Sequence, residues 1–171
     1  MINLAQKLNE VQSVADFFHF KYAISKLLSL ALSSKLRASF KNLEASKKKD
    51  DTKQIEIQEQ THAHNQFYTD FYAETMNNFT MILHPYYDGN KSNNSKKIES
   101  EINDQISKIE TIVSECNIKD KYNLLEKAQN QVNNLTSVVD IWNNTVNSHI
   151  KDLSLTEAEQ TWFKNDLLPK T

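Results

Sequence analysis

Apolar residues recur at steps of three and four over most of the chain, the spacing that keeps one face of a helix apolar. From Phe17 onward, Phe20, Ile24, Leu27 and Ala31 form one row, while Leu28, Leu32, Leu36, Phe40 and Leu43 form an adjoining one. This pattern predicts a helix that fades in the charged turn Ser46-Lys47-Lys48-Lys49-Asp50-Asp51, which offers no apolar anchor. A second helix is predicted from about Thr52 to Leu83, marked by Ile55, Ala63, Phe67, Phe71, Tyr72, Met76, Phe79, Ile82 and Leu83. Two helices of about 45 Å, at 1.5 Å per residue, joined by a short turn, should pack antiparallel as a hairpin over residues 17–83. The stretch Gln58 to Asn65 is polar on every face, so the hairpin tip is expected to project into solvent.

After the hairpin the elements shorten. Pro85 lacks an amide hydrogen and restricts His84, which should end the second helix. Residues 85–95 read as a loop with Asp88-Gly89-Asn90 as its turn. Ile98, Ile102, Ile106, Ile109 and Val113 predict a helix from about Ser95 to Glu115. Leu125, Ala128, Val132 and Leu135 predict another over 119–134, and Val139, Trp142, Val146, Ile150 and Leu153 a further one over 136–153. Ser154-Leu155-Thr156-Glu157 has the spacing of a capping box and should open a last helix carrying Ala158, Trp162, Phe163 and Leu167, closed by Pro169. Ahead of the hairpin, Ile2, Leu4, Ala5, Leu8 and Val11 form a short helical stripe. Val11 to Ala15 has strand-like composition without a partner strand, so coil or a helix joint is expected there. Asp16 is then suited to N-cap the long helix. The resulting division is a leading segment 1–15, a hairpin 16–84, a loop 85–95 and a C-terminal bundle 96–171 that forms one domain with the hairpin. The bundle helices should lie within about 95–168.

Composition agrees with an all-α fold. Among 171 residues there is one glycine and there are two prolines, too few to supply the turns of a β-rich chain. A formal charge of −2 argues against a whole-molecule electrostatic hold on nucleic acid. One cysteine, Cys116, excludes an internal disulfide and a cysteine-based zinc cluster, and it is expected near a helix end, at least half-buried. No window of eighteen apolar residues is present, and the start lacks the pattern of a secretion signal. A cytoplasmic protein with no membrane segment is therefore expected. The sequons at Asn78, Asn93, Asn134 and Asn143 then carry no meaning.

Few residues invite a chemical role. His62 and His64 point about 200° apart on a helix and cannot share a metal ion as an i, i+4 pair can, so both read as surface histidines. Lys47 to Lys49 and Asp50-Asp51 read as a solvated tip, and Ile98 to Val113 as core rather than a zipper to another chain. Trp142 and Trp162 fall on apolar stripes and read as core. Tyr86-Tyr87, beside the loop, is a candidate interaction surface. No glycine-rich phosphate loop, Ser/His/Asp set or carboxylate pair stands out.

A family resemblance adds what periodicity does not. Val14-Ala15-Asp16-Phe17-Phe18-His19, an apolar stretch followed by Asp, aromatics and His, resembles the second-acid region of insertion-sequence transposases with an RNase H-like core. Further likenesses follow in the same order: Thr80-Met81-Ile82-Leu83-His84-Pro85-Tyr86, Val138-Val139-Asp140-Ile141-Trp142 and Leu167-Leu168-Pro169. The resemblance implies that the chain corresponds to the second acid plus the helical insertion that one group of these enzymes carries. Asp16 would be a catalytic, metal-binding acid, and the complete family enzyme would use Mg²⁺ or Mn²⁺ in phosphodiester transfer on DNA. The first acid would lie upstream of Met1 and the third beyond Thr171. As a single chain it is then expected to hold no cofactor and to lack catalytic activity. A stand-alone helical interaction module is the competing expectation, pairing with itself or with a full-length transposase.

Overall fold

The computed structural model describes residues 4–84, 86–87 and 91–168, with side chains from Phe17 onward. The expected roles of Pro85, Asp88-Gly89-Asn90 and Pro169, and the stripe of Ile2, Leu4, Ala5, Leu8 and Val11, concern residues or side chains outside that description.

The fold is all-α, with a two-stranded ribbon as its sole sheet among the described residues. Helix α1 (Leu4–Lys48) and helix α2 (Thr52–Ile82) form the long antiparallel hairpin. Strands β1 (Tyr86–Tyr87) and β2 (Lys91–Ser92) pair antiparallel, Tyr86 opposite Ser92. Helices α3 (Ser95–Glu115) and α4 (Leu124–Asp152) follow, and α5 (Glu157–Trp162) runs into a π-helical turn, Phe163–Leu167.

Near the base of the hairpin, α1 packs against both α2 and α4, and α3 lies against α2 and α4. Their shared core takes Phe20, Ala23, Ile24, Leu27, Leu28 and Leu32 from α1 and Phe79 and Ile82 from α2. The isoleucines of α3, from Ile98 to Ile112, and Leu124, Ala128, Val132, Leu135 and Val139 of α4 complete it. Phe20 and Phe79 are both fully buried and meet edge to face, centroids 4.8 Å apart at 82°. Burying each such large side chain stabilises the fold by about 1.5–3 kcal/mol. The stripe of α3 is thus core, as its spacing predicts.

Beyond Leu32 the hairpin leaves this core, and Leu43 is buried outside it. The row Leu28, Leu32, Leu36, Phe40 does not stay inside, and Phe40 is 53% exposed. Steps of four overshoot a 3.6-residue turn by about 40° each, so the row rotates out. Ser39 and Leu43 rotate in behind it.

Four expected boundaries are corrected. Helix α1 begins at Leu4, so Val11 to Ala15 is helix rather than joint, and Asp16 lies inside α1 instead of capping it. No Gly or Pro interrupts residues 4–48, and an isolated strand has no ladder to join. The two helices expected over 119–153 are one, since α4 is unbroken with Leu135 and Thr136 buried at the supposed joint. Its start is delayed to Leu124 by a turn in which Asn123 adopts φ 50°. The capping box lies two residues later than expected: Thr156 and Glu159 cap each other's amides.

Helix ends in this glycine-poor chain rely on other residues. Asp50, Asn117, Asn123 and Ser154 all take positive φ, a region where Asn and Asp are tolerated best after glycine. Asn117 closes α3, with Ile118 N–H donating to Val113 O at 2.9 Å and Asn117 N–H to Ser114 O at 2.9 Å, the paired bonds of a Schellman ending.

Candidate functional site

The segments around Tyr86 and Trp142, 56 positions apart in sequence, come together in space. The C-terminal end of α2 brings His84 and Tyr86 to the middle of α4. There the Tyr86 ring meets the Trp142 ring edge to face, 5.5 Å between centroids at 88°. Between them lies Asn93, buried at 2% exposure. Its Nδ2 donates to Ile82 O and to His84 O, each at 3.0 Å, satisfying carbonyls that the end of α2 leaves without helical partners. Its own carbonyl accepts from Asn143 Nδ2 at 3.1 Å. Asp140 Oδ1 accepts from Ser95 N–H at 3.3 Å, at the first turn of α3.

One joint therefore fixes the end of α2, the start of α3 and the middle of α4. Burial pushes the Tyr86 phenol above its ordinary value. Tyr87 stacks under Lys97, whose Nζ lies 3.3 Å from the ring centroid, and Lys97 also pairs with Glu101 at 2.9 Å. The Tyr86-Tyr87 pair is thus half-buried, and Tyr86 serves the joint. Trp142 is half-buried rather than core. Trp162 departs further from expectation: it is 55% exposed, because the six-residue α5 buries none of its side chains.

The second polar centre lies in the outer hairpin. His62 on α2 is half-buried, with Nδ1 3.1 Å from Ser39 Oγ, and Ser39 is itself 3% exposed. Ser39 also donates to Leu36 O at 2.9 Å. His64 points elsewhere, its ring edge-on to Tyr68 at 4.9 Å. The two histidines do diverge, yet His62 stitches the hairpin together rather than facing only solvent. Beside it Leu36, Arg37, Phe40, Lys41, His62 and Gln66 line an open groove of about 370 Å³. Lys47 to Lys49 and Asp50-Asp51 are exposed at the tip, and Asp51 caps α2 by accepting from Gln54 N–H at 3.1 Å.

No family model, curated protein or solved structure matches this chain. Its chemistry is therefore read from its own residues. Among the described residues no three His, Cys, Asp or Glu side chains converge as metal ligands. No described helix is long and apolar enough to cross a membrane. Cys116 caps α3 and is buried at 3% exposure. Burial raises its thiol pKa, with Lys35 opposing and Glu115 reinforcing the shift, so it stays protonated at neutral pH.

Asn93 is the residue that sequence reasoning missed. It entered only as part of a chance sequon, whereas its position between a helix stop and the N-cap Asn94 was the available signal.

Proposed function

We propose that the chain is the helical insertion region of an insertion-sequence transposase with an RNase H-like core, and that it serves as a binding and scaffolding part of that machinery. The observation that carries this reading is the joint. The segments 80–86 and 138–142 resemble separate pieces of the transposase insertion, and here they pack on each other through Tyr86, Asn93 and Trp142. Motifs that meet in space are expected to recur together, because each supplies half of one contact.

Asp16 is the acid that the resemblance marks as catalytic. A hard divalent cation takes six or more oxygen ligands, and even a water-rich Mg²⁺ site is usually anchored by more than one protein group. The resemblance assigns the other acids of that site to segments other than those matched here, so no metal-dependent step is assigned to Asp16 by itself. Cutting and joining of DNA strands would belong to the complete enzyme.

Reading the DNA on either side of the coding region tests the proposal. Segments encoding the first and third acids, within terminal inverted repeats, are the expected finding; unrelated neighbouring genes on both sides would overturn it. Incubating the purified chain with plasmid DNA and Mg²⁺ or Mn²⁺ should give no strand cleavage. Cleavage abolished by Asp16→Ala would contradict the assignment of an incomplete site.

A specific observation also favours the interaction-module reading. The outer hairpin leaves Phe40, Ile57 and Phe67 at 53%, 44% and 60% exposure. Light scattering at rising concentration tests self-association, and a mass that stays monomeric rules out pairing between copies.

A further inference from the structure

The formal charge of −2 averages over a strongly uneven distribution. Between Lys21 and Lys49 there are eight Lys and Arg residues and a single acid, Glu44. Five of the eight, Lys26, Arg37, Lys41, Lys47 and Lys48, lie on one side of α1. At about 100° per residue, Phe18, Tyr22, Lys26, Leu30, Arg37, Phe40, Lys41, Lys47 and Lys48 fall within one sector of about 140° on α1. It is the sector turned away from the core. Phe18, Tyr22, Leu30 and Phe40 are 66%, 63%, 78% and 53% exposed. The face runs about 45 Å along the helix axis, at 1.5 Å per residue. Within it Glu44 pairs with Lys47 at 3.9 Å on the surface.

Rings and cations alternate here in a specific way. Lys26 Nζ sits 5.7 Å from the Tyr22 ring and 5.6 Å from the Tyr122 ring, at the start of α4. Both tyrosines stay more than 60% exposed. Further along, Arg37, Phe40 and Lys41 form one wall of the 370 Å³ groove closed by His62 and Gln66.

We propose that this face of α1, with Tyr122, binds single-stranded nucleic acid, the cations tracking the phosphates and the exposed rings stacking on unpaired bases. The inference does not rest on the transposase reading. Charge complementarity selects a polyanion. The rings select an unpaired strand, because a duplex keeps its bases stacked on each other and presents phosphates to an outer helix face. A membrane surface fits less well, since an interfacial helix separates its cations from its apolar residues and buries the latter in lipid. In α1 the cations and rings share one face while the main apolar stripe is already in the core.

The test is fluorescence anisotropy of a labelled oligo-thymidylate of about thirty nucleotides against the full chain, titrated at several salt concentrations. Binding should weaken with salt at a log–log slope of about −2 to −3, as for three or four single-strand phosphate contacts. Arg37→Glu with Lys41→Glu should reduce affinity more than tenfold, and Lys151→Glu, on an exposed site of α4, less than twofold. Tyr22→Ser with Phe40→Ser should weaken the oligonucleotide severalfold while leaving heparin binding, which needs no stacking, unchanged. Far-ultraviolet circular dichroism confirms that each variant is folded. Duplex DNA binding as tightly as the single strand would overturn the proposal. So would binding only to phosphatidylserine vesicles, equal losses for the heparin and oligonucleotide arms, or no oligonucleotide binding at low salt.

Discussion

At the scale of single residues, the polar side chains inside the fold do the specifying. Asn93 satisfies two carbonyls at the end of α2 and orders the segment that starts α3. Replacing it by Ala leaves the buried Ile82 carbonyl unpaired, which costs about 1–3 kcal/mol. Urea denaturation should show this as a lower midpoint, and an unchanged midpoint would dismiss the joint as decoration. Thr75, fully buried, avoids such a penalty by donating to Phe71 O at 2.7 Å, one turn back. Cys116 gives a second test. Because its thiol is buried and its pKa raised, reaction with an aromatic disulfide at pH 7.5 should be slow in the native protein and immediate in denaturant. Fast native labelling would contradict the packing of α3 against its neighbours.

The elements are positioned by how they end. Helix α4 begins without a side-chain bond from its N-cap residue, and Asp120 takes over that task. Its carboxylate accepts from Leu125 N–H at 2.8 Å, Leu124 N–H at 2.9 Å and Tyr122 N–H at 3.3 Å. Burial alone would raise the Asp120 pKa, but these amides and the Lys127 charge outweigh it and hold it below the ordinary carboxylate range. A folded pKa below the unfolded one gives stability that is complete above about pH 5 and lost as pH falls through the folded value. Asp120→Ala should therefore cost about 1 kcal/mol at pH 7, and the gap to the wild-type chain should narrow as pH falls below the ordinary carboxylate range. A gap that persists undiminished at pH 2.5 would remove the cap from the explanation. At the other end of α4, Ser154 holds φ 52°. Ser154→Gly should stabilise by about 0.5–1 kcal/mol, readable as a raised Tm.

For the molecule as a whole, the hairpin divides into a base built into the core and an outer part that stands clear of it. Leu43 is the one large apolar side chain between Asn42 and Gln58 that is buried. Replacing residues 42–58 with a short turn should then leave the bundle folded, at a cost of about 2 kcal/mol for the lost Leu43 burial. A cooperative thermal transition only slightly lowered is the expected result; loss of the transition would show the tip to be part of the folding unit. The same geometry places the cationic face of α1 along the side of the molecule, where whole-chain net charge gives no sign of it.

Much of the architecture was legible because apolar periodicity is a local property. Ile98 to Val113 marked α3 with its boundaries intact, and the hairpin followed from two long stripes and one charged turn. The break proposed within α4 failed because Asn and Thr lower helix propensity only weakly, and burial of Leu135 and Thr136 overrides that. Asp16 reads as a cap because the strand-like composition of Val11 to Ala15 separates the short stripe before it from the long one after it, whereas the helix runs through both. The site was less legible than the fold. That Tyr86 faces Trp142, that Asn93 ties three elements together, and that the rings and cations of α1 share one outward sector all depend on packing between distant residues. Sequence alone determined which residues could form helices and which faces of them were apolar. Only the tertiary structure decided which faces were used up by the core and which were left for something else to touch.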